Sequence, residues 1–276
     1  MISLFYSPLT THYSLFMSDI QTITKLRELT GAGIVDCKKA LDEAGDDIDK
    51  AVELLRKKGE AKAAKKADRV ASEGIIAMKN DDNNLAVVAL ACETDFVSRN
   101  EDFIASVDAY AEKLLGMDLV EFKTWASEEV KKELVVKIGE NIVLSSADKI
   151  ELNGKTVGKY IHSNKKIASV VVLEGGSEEL AKDIAMHVTA MQPEYLNSDA
   201  VPSDVLDKEK EIYAEQLKTE GKPEEIIEKI LIGKVNKFYE ENCLVNQMFI
   251  KDDKKTITQI LKEGNATLKS YQLYKI

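Results

Sequence analysis

One order of patterns occurs twice in this chain, and a duplicated unit restricts the fold more than any single motif does. In the first copy, residues 74–78 read as a strand, 80–84 as a polar turn, 85–91 as a second strand and 101–115 as a helix. The second copy repeats this with a strand at 158–162, a turn at 163–166, a strand at 167–173 and a helix at 178–191. The run Leu85 to Ala91, Leu-Ala-Val-Val-Ala-Leu-Ala, is apolar without alternation, as expected of a strand covered on both faces. The copies differ where strand passes to helix. The second uses Glu174-Gly175-Gly176-Ser177, whereas the first inserts the longer Thr94-Asp95-Phe96-Val97-Ser98-Arg99-Asn100. That insertion sets a carboxylate beside a large aromatic, on a connection positioned by a rigid scaffold, where binding residues concentrate. Asp95 and Phe96 are therefore the first candidates for function.

Outside the duplication the patterns are helical. Between Ile20 and Gly59, three short helices are expected. Ile23, Leu26, Arg27 and Leu29 fall at helical spacing, Gly31 and Gly33 interrupt, and Ile34, Cys37, Ala40 and Leu41 form a second face. Asp46 or Asp47 caps the third helix, and Gly59 is expected to stop it. Between the copies, Ser127 is expected to cap a helix ending at Gly139, with a strand starting over 141–144. Residues 202–241 read as an antiparallel helical hairpin joined at Gly221-Lys222-Pro223. Its stripe, with Val205, Ile212 and Leu217 facing Ile226, Ile227 and Phe238, either closes on itself or serves a homodimer. A short helix from Thr256 to Gly264 and a closing strand over 268–274 end the chain.

These signals predict an α+β fold divided as follows: 1–17, a disordered extension or misassigned start; 18–59, a three-helix module; 60–72, a basic helical linker; 73–145 and 146–201, the two halves of a duplicated β-β-α core; 202–242, a protruding hairpin; and 243–276, the closing helix and strand. Residues 1–17 carry no Lys, Arg, Asp or Glu, and they lack both the basic start of a secretory signal and the Arg-rich face of a mitochondrial one.

Composition removes several classes. A formal net charge of −10 disfavours general nucleic-acid binding. The basic stretch from Arg56 to Arg69 lacks stacking aromatics and reads first as a solvated helical face. Three scattered cysteines, Cys37, Cys92 and Cys243, suit a reducing cytoplasm and form no metal spacing. HExxH, CxxC, GxSxG and phosphate-loop patterns are absent, and no cofactor is implied. An enzyme lacks a nucleophile and base that can be paired by motif. A ubiquitin-like-binding or RNA-binding module would use the three-helix unit and its linker, leaving the duplicated core unexplained.

Four segments then combine. Leu26-Arg27-Glu28-Leu29-Thr30-Gly31-Ala32-Gly33 running into Asp36-Cys37-Lys38-Lys39-Ala40-Leu41, the loop Thr94-Asp95-Phe96-Val97, Lys137-Ile138-Gly139-Glu140-Asn141-Ile142, and Ile184-Ala185-Met186-His187-Val188 together resemble the bacterial translation elongation factor Ts family, from Ile20 to the C-terminus. The resemblance implies a guanine-nucleotide exchange factor for elongation factor Tu, with an N-terminal ubiquitin-associated-like module, a two-part core and a helical hairpin. It also implies that Asp95 and Phe96, between Thr94 and Val97, enter the partner's G domain beside its magnesium site. Arg27, Ile34 and Val35 would hold an apolar side chain of a partner helix. His162 would be a second contact, with an ordinary surface histidine as the alternative. Ala89 and Ala91 depart from the Glu and Asn that many relatives carry, and Ser145-Ser146 from a commonly basic pair. These changes touch the polar framing of the loop and leave Asp95-Phe96 intact.

Overall fold

The N-terminal apolar spacing folds into α1 (Ile20–Thr30), α2 (Ile34–Ala44) and α3 (Ile48–Ala64), packed around Leu26, Cys37, Ala40, Leu41 and Ala51. The computed structural model describes residues 19–276, so the expectation for 1–17 lies outside it. Asp47 starts α3 by accepting from the Lys50 N–H at 3.1 Å. Gly59 does not stop this helix, which continues to Ala64. The glycine instead permits close approach, since a Cβ there would stand 2.2 Å from Val136 Cγ2. The alanines and lysines beyond it are good helix formers and carry the helix on.

Both repeats appear, each extended by one element. β1 (Glu73–Asn80), β2 (Asn84–Cys92) and β3 (Val143–Glu151) form a sheet in the order β1-β2-β3; β4 (Thr156–Ile161), β5 (Ile167–Gly175) and β8 (Ala266–Lys275) form another in the order β4-β5-β8. In each sheet the repeat's second strand is central, and a strand that returns after the repeat's helix takes its free flank. β5 pairs antiparallel with both neighbours. The unalternated run in β2 is explained by burial of both its faces. Leu85, Val87 and Ala89 share a core with Ala168, Val170 and Tyr274, and the opposite residues Ala86, Val88 and Leu90 are also fully buried.

After β2 come α4 (Asp95–Ser98), α5 (Glu101–Leu115), α6 (Leu119–Glu129) and α7 (Val135–Ile138), the last two joined by a π-helical turn over Val130–Leu134. Ser127 is not the cap expected. It lies inside α6, where its hydroxyl donates to the Lys123 carbonyl at 2.8 Å, and Asp118 caps instead by accepting from the Val120 and Glu121 N–H groups. The chain forms two compact units. One comprises 19–74, Leu90–Ser106 and Met117–Ser145; the other comprises Ile75–Ala89, Val107–Gly116 and Ser146–Ile276.

In the second unit, α8 (Glu178–Met191) lies on β4 and β5. α9 (Ser203–Thr219) and α10 (Glu224–Asn242) form the hairpin, burying Leu217 and Ile227, whereas Ile212 and Ile226 of the expected stripe remain exposed. β6 (Met248–Phe249) and β7 (Asp252–Thr256) pair before α11 (Ile257–Glu263), whose Thr256 and Gln259 make a capping box. None of the described helices is long and apolar enough to cross a membrane.

His187 ties α8 to the chain after the hairpin. Its Nδ1 accepts from the Ile250 N–H at 3.3 Å, so Nε2 carries the proton and donates to Gln247 Oε1 at 3.0 Å. Burial pushes this imidazole below its ordinary pKa, while the bond to Gln247 opposes the shift. The folded state therefore resists proton uptake more than the unfolded chain does. Stability from this site is complete above about pH 6.5 and is lost as pH falls toward the lowered folded value. Compared with His187→Gln, the wild type is expected to lose up to about 1.4 kcal/mol more per pH unit below pH 6.5. Urea unfolding of both proteins between pH 7.5 and 5 checks this; parallel curves would contradict it.

Candidate partner-binding site

The Asp95-Phe96 segment is a single helical turn, anchored at both ends. Where β2 finishes, the buried Cys92 Sγ–H donates to the Thr94 carbonyl at 3.3 Å. Thr94 occupies the N-cap position of α4 without capping it. Its Oγ1 instead donates to Glu140 Oε1 at 2.5 Å, and the Glu93 and Thr94 N–H groups donate to Glu140 Oε2 at 3.1 and 3.0 Å. The Glu93 carboxylate accepts from the Asn141 N–H at 2.6 Å and lies 3.5 Å from the Arg69 guanidinium. Asn141 Nδ2 in turn donates to the Arg69 carbonyl at 2.7 Å. At the far end, the Ser98 hydroxyl donates to the Asp95 carbonyl at 3.0 Å, and Asn100 Oδ1 starts α5 by accepting from the Phe103 N–H at 3.1 Å.

Between these anchors Phe96 is 83% exposed, whereas Phe103, seven residues on, is fully buried. Folding back of Phe96 onto the strand pair is thereby excluded. Val97 is half-buried and Ser98 buried, so the turn stands on its C-terminal half and presents its first half. Asp95 pairs with Arg99 at 3.1 Å, with side chains 46% and 80% exposed. An ion pair this exposed contributes under about 1 kcal/mol, so exchanging it for another contact costs little.

Arg27, Ile34 and Val35 belong to the same compact unit as the turn. Arg27 is exposed in the last turn of α1; Ile34 and Val35 open α2 at 58% and 66% exposure, with the exposed Leu29 of α1 a further apolar member not anticipated. The helical segment ending at Ile138 supports this module and the turn together. Val136 meets Gly59, Lys137 Cγ would lie 2.8 Å from a Cβ on Gly31, the Lys66 ammonium donates to the Gly139 carbonyl, and the next residue is Glu140. His162 lies in the other unit, exposed, with Nδ1 3.4 Å from the Tyr160 hydroxyl. It lines a cavity of about 380 Å³ with Met186, Thr189 and Ile250.

Glu93 and Glu140 were not singled out from the sequence. Glu140 falls in one of the quoted segments, immediately after a glycine that ends a helix, and that placement was its only signal. Together they frame the loop with polar groups while Ala89 and Ala91 lie buried in β2. Of the basic stretch, Lys57 pairs with Glu53, Lys58 with Glu43 and Arg69 with Glu93.

The structure thus defines an α+β protein built on a duplicated sheet unit, one copy of which carries a pinned, outward aromatic. The family model described as Elongation factor TS matches residues 93–276. The chain is 45% identical over 260 residues to Elongation factor Ts of Teredinibacter turnerae, covering 92% of this chain and 89% of that protein. It is 46% identical over 265 residues to Elongation factor Ts of Deinococcus deserti, covering 93% and 99%, and 48% identical over 260 residues to that of a Nitratiruptor species, covering 88% and 85%. The chain belongs to the elongation factor Ts family, which places it among the translation elongation factors.

Proposed function

We propose that this chain is a guanine-nucleotide exchange factor that binds elongation factor Tu, GDP-bound or nucleotide-free, and promotes GDP release in the cytoplasm during elongation. The observation that carries this is Phe96, 83% exposed at the head of a turn whose backbone is bonded on both sides, the Thr94 N–H to Glu140 and the Val97 carbonyl to the Asn100 N–H. A large aromatic held outward loses little conformational freedom on docking, and its enclosure contributes about 1.5–3 kcal/mol. Asp95 beside it, in an exposed ion pair, competes for polar groups around the partner's magnesium and phosphates. Arg27, Ile34 and Val35 hold a partner helix, and His162 makes a second contact.

The mechanism is linkage without bond chemistry. A wedge that fits the partner better when nucleotide is absent lowers nucleotide affinity, and nucleotide lowers the affinity for the wedge equally, at about 1.4 kcal/mol per tenfold. The test is release of a fluorescent GDP analogue from purified elongation factor Tu, followed in excess unlabelled GDP. Substoichiometric amounts of this protein are expected to accelerate release with multiple turnovers. Release at the spontaneous rate would refute the proposal.

A further inference from the structure

We propose that Glu140 is a positioning residue: through Glu93 and Thr94, its carboxylate fixes the Thr94–Ser98 turn so that Phe96 is held ready for the partner. This rests on the exchange function proposed above. Three donors converge on that carboxylate: the Glu93 N–H at 3.1 Å, the Thr94 N–H at 3.0 Å and the Thr94 hydroxyl at 2.5 Å. They belong to the two residues between the end of β2 and the start of α4, where regular secondary structure supplies no partner for the backbone. The attachment is reciprocal, because the Asn141 N–H donates to the Glu93 carboxylate at 2.6 Å. Segments 47 residues apart, Glu93 and Glu140, are thus joined by side chain to backbone in both directions.

The chemistry requires a carboxylate. All three groups facing Glu140 donate, and an ionised carboxylate only accepts. Glutamine would keep one acceptor and turn an NH2 toward donors, while aspartate is one methylene shorter and falls short of the Glu93 and Thr94 donors. With the clasp open, Phe96 samples orientations that do not fit even in a complex held by the Arg27, Ile34 and Val35 contacts, so the release rate at saturation falls with the fraction of bound turns correctly placed. Phe96 itself would remain chemically unaltered.

Three measurements test this on the full chain. In the free protein, hydrogen exchange of the amides at Glu93 and Thr94 is expected to rise about tenfold or more in Glu140→Gln and to stay unchanged in the exposed control Glu121→Gln. In the release assay, Glu140→Gln is expected to lower the maximal rate about fivefold, with the concentration for half-effect nearly unchanged. In a Phe96→Ala background, Glu140→Gln should add nothing, because both act through one turn. Should Glu140→Gln fold poorly, Thr94→Val, which removes only the hydroxyl bond, is expected to give a smaller change in the same direction. Unaltered exchange at Glu93 and Thr94, or full additivity in the double variant, would overturn the proposal. If the wild type itself fails to accelerate release, the exchange function falls, and the amide measurement still decides whether the clasp exists.

Discussion

Phe96→Ala is expected to slow GDP release from elongation factor Tu by about tenfold or more, equivalent to losing roughly 1.4 kcal/mol of differential interaction, while its melting temperature stays within a degree or two of wild type. The two halves of this expectation share one cause. Phe96 is 83% exposed, so truncation removes almost no buried area from the folded chain and leaves no cavity. Whatever the aromatic contributes is realised only against another molecule. Nor does the turn depend on the ring, since its bonds to Glu140 run through backbone groups and Thr94, and the Asn100 N–H donates to the Val97 carbonyl at 3.0 Å. Adding Asp95→Ala should deepen the kinetic defect, with loss of the exposed Arg99 pair changing stability only slightly. Stopped-flow release beside thermal unfolding separates the effects. Wild-type release from a normally folded Phe96→Ala protein would remove the wedge; a large drop in melting temperature would return the ring to a structural role.

The sequence shows the presented aromatic and hides what presents it, for a physical reason. Phe96 stands out because it breaks a repeat: the second copy crosses from strand to helix by Glu174-Gly175-Gly176-Ser177 and has no counterpart. The Glu140 clasp follows no period, because it joins a carboxylate to backbone donors 46 and 47 residues away. The repeated strands and helices were legible because alternation, apolar runs and caps are local. Gly59 and Ser127 were misread because each is locally a stop or cap signal, and tertiary contact or an earlier cap decides otherwise. At Gly59 the decisive neighbour is Val136; at Ser127 it is Asp118, which has already started the helix. The β6-β7 pair was missed because β7, Asp-Asp-Lys-Lys-Thr, has no apolar face to alternate.

The glycines that open the two repeats show how one pattern can meet two demands, and they lead to the largest stability effect expected here. At Gly74, with φ +144°, a Cβ would stand 2.2 Å from the Leu90 carbonyl oxygen. At Gly158, which faces Val171 in the β4-β5 register, a Cβ would stand 2.0 Å from the Ala181 carbonyl carbon and 2.1 Å from its oxygen. The backbone of α8 therefore rests directly on the backbone of β4, beneath a core containing Val171, Ala181, Ile184 and Ala185. A Cβ has no rotamer to escape into and the atoms it would meet are main-chain atoms of α8, so Gly158→Ala must lift the helix and loosen that core. Overpacking of this kind costs about 3 kcal/mol, at the upper end of the usual range. At roughly 2–4 °C per kcal/mol, the melting temperature should fall by roughly 6–12 °C. Gly233→Ala provides the opposing case. Gly233 is exposed within α10 with nothing within 4 Å of its would-be Cβ, so the same substitution should stabilise by roughly 0.5–1 kcal/mol through helix propensity and a less flexible unfolded chain. Thermal unfolding of the two variants should therefore move in opposite directions from wild type; equal melting temperatures would mean that α8 and β4 are not in backbone contact.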